Sequence, residues 1–251
     1  MKKYIGIVWA ALLGGVFSAF SFIGIRYLQG TNWYLFSSAL RIIFGIAVLV
    51  LMNRIFQRSL RDIFSPKGWK TAFFAGSGFL LYAAYMICAI VMGYRNLTVS
   101  SVSLFLSHVI LQQLATGFFE EGLFRGLVLE GYFACEKKTA LKRVCYAMFS
   151  FLLFGAVHVL DGFDAYRFIY TGTIGFAFAA MYLRSRNLLL PMLLHFLYDI
   201  PMNLLEYMEY TDPTLFNTWY AANEVMIGIM FLISLVMIVY EKKDKAKEMI
   251  A

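Results

Sequence analysis

Charge is what this chain has least of. Asp, Glu, Lys and Arg make up 15% of its 251 residues, while 61% are hydrophobic and 18% aromatic; a soluble domain is about half apolar and a quarter charged. A mean hydropathy of +0.70 therefore excludes a soluble globular protein. Cysteine is scarce as well. Cys88, Cys135 and Cys145 are odd in number, widely spaced and mostly set in apolar sequence, which argues against a disulfide framework or a thiolate metal site and leaves them as packing residues. The HExxH pattern of helical zinc proteases is missing, as are an inverted repeat and the paired broken helices of transporters. The formal charge of +7 carries no nucleic-acid signal, because the basic residues lie in short clusters between long apolar runs, which is how membrane topology is encoded.

What is present is a series of apolar runs, each close to the ~20 residues that cross ~30 Å of hydrocarbon as a helix. They fall at 4–28, 33–53, 71–93, 100–125, 144–160, 166–183, 187–207 and 221–240. The expected fold is all-α: a polytopic membrane helical bundle of about eight transmembrane helices, forming one integral membrane domain over 1–251. Lys2 and Lys3 precede the first run in the manner of a signal peptide, but the run continues past the length of an h-region and reads as an uncleaved span. With the N-terminus inside, seventeen basic residues fall in cytoplasmic segments: Lys2 and Lys3; Arg54, Arg58, Arg61, Lys67 and Lys70; Lys137, Lys138, Lys142 and Arg143; Arg184 and Arg186; Lys242, Lys243, Lys245 and Lys247. Only Arg26, Arg95 and Arg167 fall outside. That bias places both termini in the cytoplasm, and the compact loops suit a bacterial plasma membrane.

Arg41 and Arg125 remain inside spans, together with Glu120, Glu121, His158, His195 and Asp199. A charge at the bilayer centre costs at least ~2.5 kcal/mol, so such groups face the bundle interior and pair or serve function. Residues four apart share a helix face, which groups Glu121 with Arg125, Phe154 with His158, and His195 with Asp199. Counting ~1.5 Å per residue from the basic clusters puts all three groups at depths where they can meet within the bilayer. Taken singly, they read as a helix ion pair, core packing and a buried hydrogen bond. Taken together, four separate burials of this kind point to one site. His108, on the fourth run, reads as a structural hydrogen-bonding residue.

Two carboxylates, two histidines and an Asp in a dry site are what water activation requires. A carboxylate takes a proton from water, one imidazole helps to hold that water, and a second imidazole with a polar neighbour stabilises the oxyanion of an attacked carbonyl. The chemistry indicated is acyl-bond hydrolysis. EEGLFR (120–125), FGAVH (154–158) and HFLYD (195–199) resemble, in order, the EExxxR, FxxxH and HxxxN/D motifs of the CPBP family of intramembrane proteases, also called Abi. That family includes the CAAX prenyl endopeptidases and bacterial bacteriocin-processing and immunity relatives. The resemblance covers 100–207, the family's four-helix catalytic core. It implies that Glu120 is the general base, that His158 helps hold the water, that Glu121 pairs with Arg125, and that His195 and residue 199 form the oxyanion hole. Here residue 199 is Asp, which when ionised only accepts hydrogen bonds. Asp199 must then be protonated, be paired with a cation, or orient His195. Arg41 could supply the cation; equally, it could bond backbone carbonyls or reach outward.

The leading expectation is an intramembrane endopeptidase acting on a membrane-associated peptide or protein, such as a leader peptide, a bacteriocin-like peptide or a membrane-anchored regulator. The alternatives are a non-catalytic immunity or regulatory protein of the same fold, and a proton-coupled transporter. No cofactor is certain. Glu120, His158 and His195 would suffice as ligands for zinc, with an open coordination position.

Overall fold

A computed structural model describes residues 2–135, 139–210 and 213–240. Lys137, Lys138 and the basic residues from Lys242 onward lie outside them, and with them the C-terminus on which the expected cytoplasmic placement rests. Each expected apolar run is helical. The helices are α1 (Lys2–Tyr27), α2 (Gly30–Phe56), the short α3 (Leu60–Ile63), α4 (Trp69–Ala75), α5 (Ser77–Gly93), α6 (Val102–Ala134), α7 (Ala140–Val157), α8 (Ala165–Ser185), α9 (Leu189–Leu204) and α10 (Pro213–Val239). Two short strands, β1 (Tyr94–Leu97) and β2 (Met208–Tyr210), pair antiparallel and join the ends of α5 and α9.

Among the described residues, α1, α2, α6, α7 and the 221–239 part of α10 are each long and apolar enough to cross a membrane, and the pair α4 and α5 makes a sixth candidate. That pair was expected as one straight span, 71–93. It bends by 68° at Gly76, where an added Cβ would lie 2.4 Å from Met181 Cε; the chain turns where it meets α8. The other two expected runs are α8 and α9. They fall outside that set: every residue of α8 from 171 to 183 is buried, and α9 has only 16 residues.

α8 is buried on all sides because small residues let its neighbours come close, as in membrane bundles generally. Cβ atoms at Gly155 and Gly172 would lie 2.7 Å from the Phe168 carbonyl oxygen and 3.0 Å from Phe151, so α7 and α8 pack almost backbone to backbone. α6 packs between α2 and α9. It contains two wider π-helical stretches, Leu106–Gln112 and Gly122–Leu127, a departure that recurs at functional sites. Its residues 121–132 are all buried, so the part after 126, which could have lain along the membrane surface, continues into the protein interior. Cys88 and Cys145 are exposed free thiols rather than the packing residues expected.

Candidate active site

The site begins with a glycine. A Cβ on Gly117 would lie 2.8 Å from the Met192 carbonyl oxygen and 3.1 Å from the Phe196 nitrogen. Only Gly permits α6 and α9 to approach this closely. One turn further along α6, the approach brings Glu121 within 2.8 Å of His195 Nδ1. The same carboxylate oxygen lies 2.9 Å from Arg125 Nη1, and both Glu121 and Arg125 are fully buried. The pairing read from the sequence is therefore present, with an addition that sequence did not show: Glu121 holds Arg125 and His195 together.

Arg125 is fixed on its other sides. Its guanidinium lies over the Phe154 ring at 4.5 Å and the Phe178 ring at 5.3 Å, and Nη2 donates to the Gly175 carbonyl at 3.4 Å. Ser150 donates to that same carbonyl at 3.0 Å. Phe178 also packs against His195, with centroids 5.5 Å apart. Phe154, expected as a partner of His158 alone, thus contacts His158, Arg125 and His195.

The Glu121 bond fixes the histidine tautomer. A carboxylate only accepts, so Nδ1–H of His195 donates to Glu121. His195 Nε2 then faces Asp199 Oδ2 at 3.3 Å and Glu120 Oε2 at 4.0 Å. Two lone pairs cannot face each other at the shorter distance, so a proton lies between His195 and Asp199, on the ring or on the carboxyl. Either placement satisfies Asp199 without Arg41. Arg41 instead donates to the hydroxyl and, at 3.4 Å, to the carbonyl of Ser37, while Gln112 donates to the same hydroxyl at 3.3 Å. Among the described residues Arg41 and Asp199 make no contact of ion-pair length, and the Arg41 charge reaches Asp199 only through space.

His158 stands immediately beyond α7, as its C-cap. Its Nδ1 donates to the Phe154 carbonyl at 2.7 Å, satisfying one of the carbonyls a helix end leaves open and leaving Nε2 as its free nitrogen. His158 and Glu120 line one cleft of about 380 Å³, shared with α1 and the end of α7. Glu120 Oε2 is buried and has no hydrogen-bond partner among the described residues. His108 bonds the Tyr207 hydroxyl at 3.1 Å and stacks on Tyr34, away from this cluster and in the structural role expected.

Glu120, His158 and His195 were the expected ligands if a metal is bound. Among the described residues no three His, Cys, Asp or Glu side chains are grouped to hold one ion, and both nitrogens of His195 already face carboxylates. The trio does not fit a metal in this arrangement, and no step below is routed through one.

Sequence reasoning missed Gly117, Ser150, Gly175 and Phe178, whose roles arise from contacts between helices. It also missed Glu130, fully buried on α6, which bonds Tyr182 and Arg186 and lies 3.8 Å from Arg58 Nε. A carboxylate nine residues after Glu121 on the same apolar helix was the available signal.

Residues 102–201 match the family model described as type II CAAX prenyl endopeptidase Rce1-like. The match runs from the start of α6 into α9 and includes every residue from Glu120 to Asp199 placed in the site above. No curated protein and no solved structure matches the chain.

Proposed function

With residues 102–201 belonging to the Rce1-like family of type II CAAX prenyl endopeptidases, we propose that the protein is an intramembrane endopeptidase that cleaves its substrate with water activated by Glu120. The observation that carries this reading is the contrast between adjacent carboxylates. Glu121 is fully buried and locked between Arg125 and His195, whereas the Glu120 side chain keeps 18% of its surface open and lines a cleft it shares with His158.

In the proposed reaction a water held between Glu120 and His158 gives a proton to Glu120 as its oxygen attacks the scissile carbonyl carbon. The oxyanion that forms is met by the Nε2–H of His195, whose ring the Glu121 bond already aims. Collapse of the tetrahedral intermediate breaks the C–N bond, and the proton passes from Glu120 to the leaving nitrogen. Asp199 acts by keeping the proton on His195 Nε2, which leaves His195 as the one donor to the oxyanion in place of the two that His and Asn would give. Substrates suited to such a site are leader peptides, bacteriocin-like peptides or membrane-anchored proteins.

Glu120→Gln removes the base while keeping the shape. The loss expected is at least about 10²-fold in cleavage. Comparing the membrane peptidomes of cells carrying wild-type and Glu120→Gln protein should reveal a peptide that accumulates uncleaved in the variant. Identical peptidomes, with function retained, would instead indicate a non-catalytic immunity or regulatory protein.

A further inference from the structure

α1 touches the rest of the bundle unevenly. A Cβ on Gly6 would lie 2.1 Å from the Leu127 carbonyl oxygen, and one on Gly24 would lie 2.4 Å from the Phe36 ring. Between them Leu13 and Phe17 keep the same face on the core, the Phe17 ring 4.7 Å from that of Phe119, but on the adjoining faces a Cβ on Gly14 would have its nearest atom 4.0 Å away and one on Gly15 nothing within 4 Å. Beside the packed stripe, these two glycines leave a gap. Beneath that gap lie Glu120 and His158, and across it stand Leu153, Val157 and Leu160. The wall that α1 contributes is built from small residues, Ala11, Gly14, Gly15 and Ser18, beside Phe17.

The gap has a definite capacity. At about 380 Å³ it stands at the small end of ligand pockets, which span roughly 300–1,000 Å³. An extended strand with a few apolar side chains is of the right size. Apart from Glu120, His158 and Ser18 the lining is apolar, so the segment it suits is apolar too. Gly15 is exposed, which leaves the cleft open past α1 toward the lipid.

Resting on the protease reading, we propose that the middle of α1 is the substrate-facing wall of this cleft. An unwound apolar segment of a membrane-embedded peptide enters from the bilayer between α1 and α7, and Gly14 and Gly15 set the size of the side chain accepted beside the scissile bond. A Cβ on Gly15 meets nothing within 4 Å, so Gly15→Leu adds bulk at the gap without a clash at its base and favours the helix.

In proteoliposomes, quenched membrane-anchored peptides differing only in Ala, Leu or Phe beside the scissile bond provide the test. Gly15→Leu should lower kcat/KM for the Phe peptide about 10- to 100-fold more than for the Ala peptide; equal effects on all three overturn the proposal. A second measurement is independent of turnover. A photo-crosslinking amino acid at Ser18, in the Glu120→Gln background, should capture an anchored Ala/Leu peptide more strongly than the same group at Leu12, which is exposed outside the cleft. Equal capture, or none, also overturns it. If wild type and Glu120→Gln cleave the peptides alike while capture still favours Ser18, the protease reading fails and the cleft stands as a binding site.

Discussion

Glu121 and Arg125 form an ion pair with no exposed side-chain surface, and such a pair is most informative when broken one partner at a time. Removing either leaves a buried charge, at a cost of about 3–5 kcal/mol. Arg125→Met is therefore expected to lower the melting temperature of the purified protein sharply. Arg125→Met/Glu121→Gln should recover much of that loss while activity stays low, because His195 then lacks the carboxylate that fixes its Nδ1–H. Thermal melts run beside the cleavage assay separate the two effects. At this scale much was legible in the sequence. A spacing of four on a helix gives the Glu121–Arg125 pair from geometry alone, and the order of the motifs gives His158 and His195. The Glu121–His195 bond was not legible, since it depends on how closely two helices approach. Arg41 shows the same limit: its partner Ser37 is one turn away on its own helix, and no depth estimate distinguishes that bond from one across the bundle.

Helix approach is set at Gly117. A methyl group there would sit 2.8 Å from backbone, so Gly117→Ala must move α6 away from α9. Activity is expected to fall by at least about tenfold, since small misplacements of catalytic groups reduce rate strongly. An intact helical CD spectrum would show that the helices themselves persist. The segment between α7 and α8 carries a separate device. Arg167 bonds Asp161, and Asp164 caps α8 by accepting from the Arg167 backbone N–H at 2.8 Å. The Arg167 hydrogen bond holds the Asp161 carboxyl below the usual carboxylate range. A lowered carboxylate stabilises fully above its unfolded value, ~3.9, and the effect is lost as pH falls toward the lowered one. Hydrogen exchange in 158–164 should therefore hold steady down to that range and rise only below it. The apolar runs made the helices themselves predictable, whereas the bend at Gly76 and the π-helical stretches follow from packing that no single run encodes.

Across the whole molecule, the segments expected on the cytoplasmic side are gathered at one end. Glu130 binds Arg186, with Arg58 close by. Asn187 donates to the carbonyls of Ser65 and Lys67, both at 2.8 Å, and Arg58 donates to the Arg186 carbonyl. Glu130→Gln removes the fully buried carboxylate of this group. The expected destabilisation is about 3 kcal/mol, at the lower end for a broken buried pair, because the Arg186 side chain is 41% exposed and can turn to water. Faster heat inactivation in detergent would report it, with initial activity retained. The basic clusters signalled a common side of the membrane, but not that a buried carboxylate would stand among them.

The Glu121–Arg125 pair also bears on how the protein is made. Both partners belong to α6, so their charges neutralise each other as soon as that helix forms, some seventy residues before His195 is synthesised. α6 can then enter the bilayer as a unit, carrying in Glu121 the acceptor that later orients His195. The proposed site is thus completed only when α9 arrives, and on the protease reading an unfinished chain held at the membrane would have no means of cleaving its neighbours.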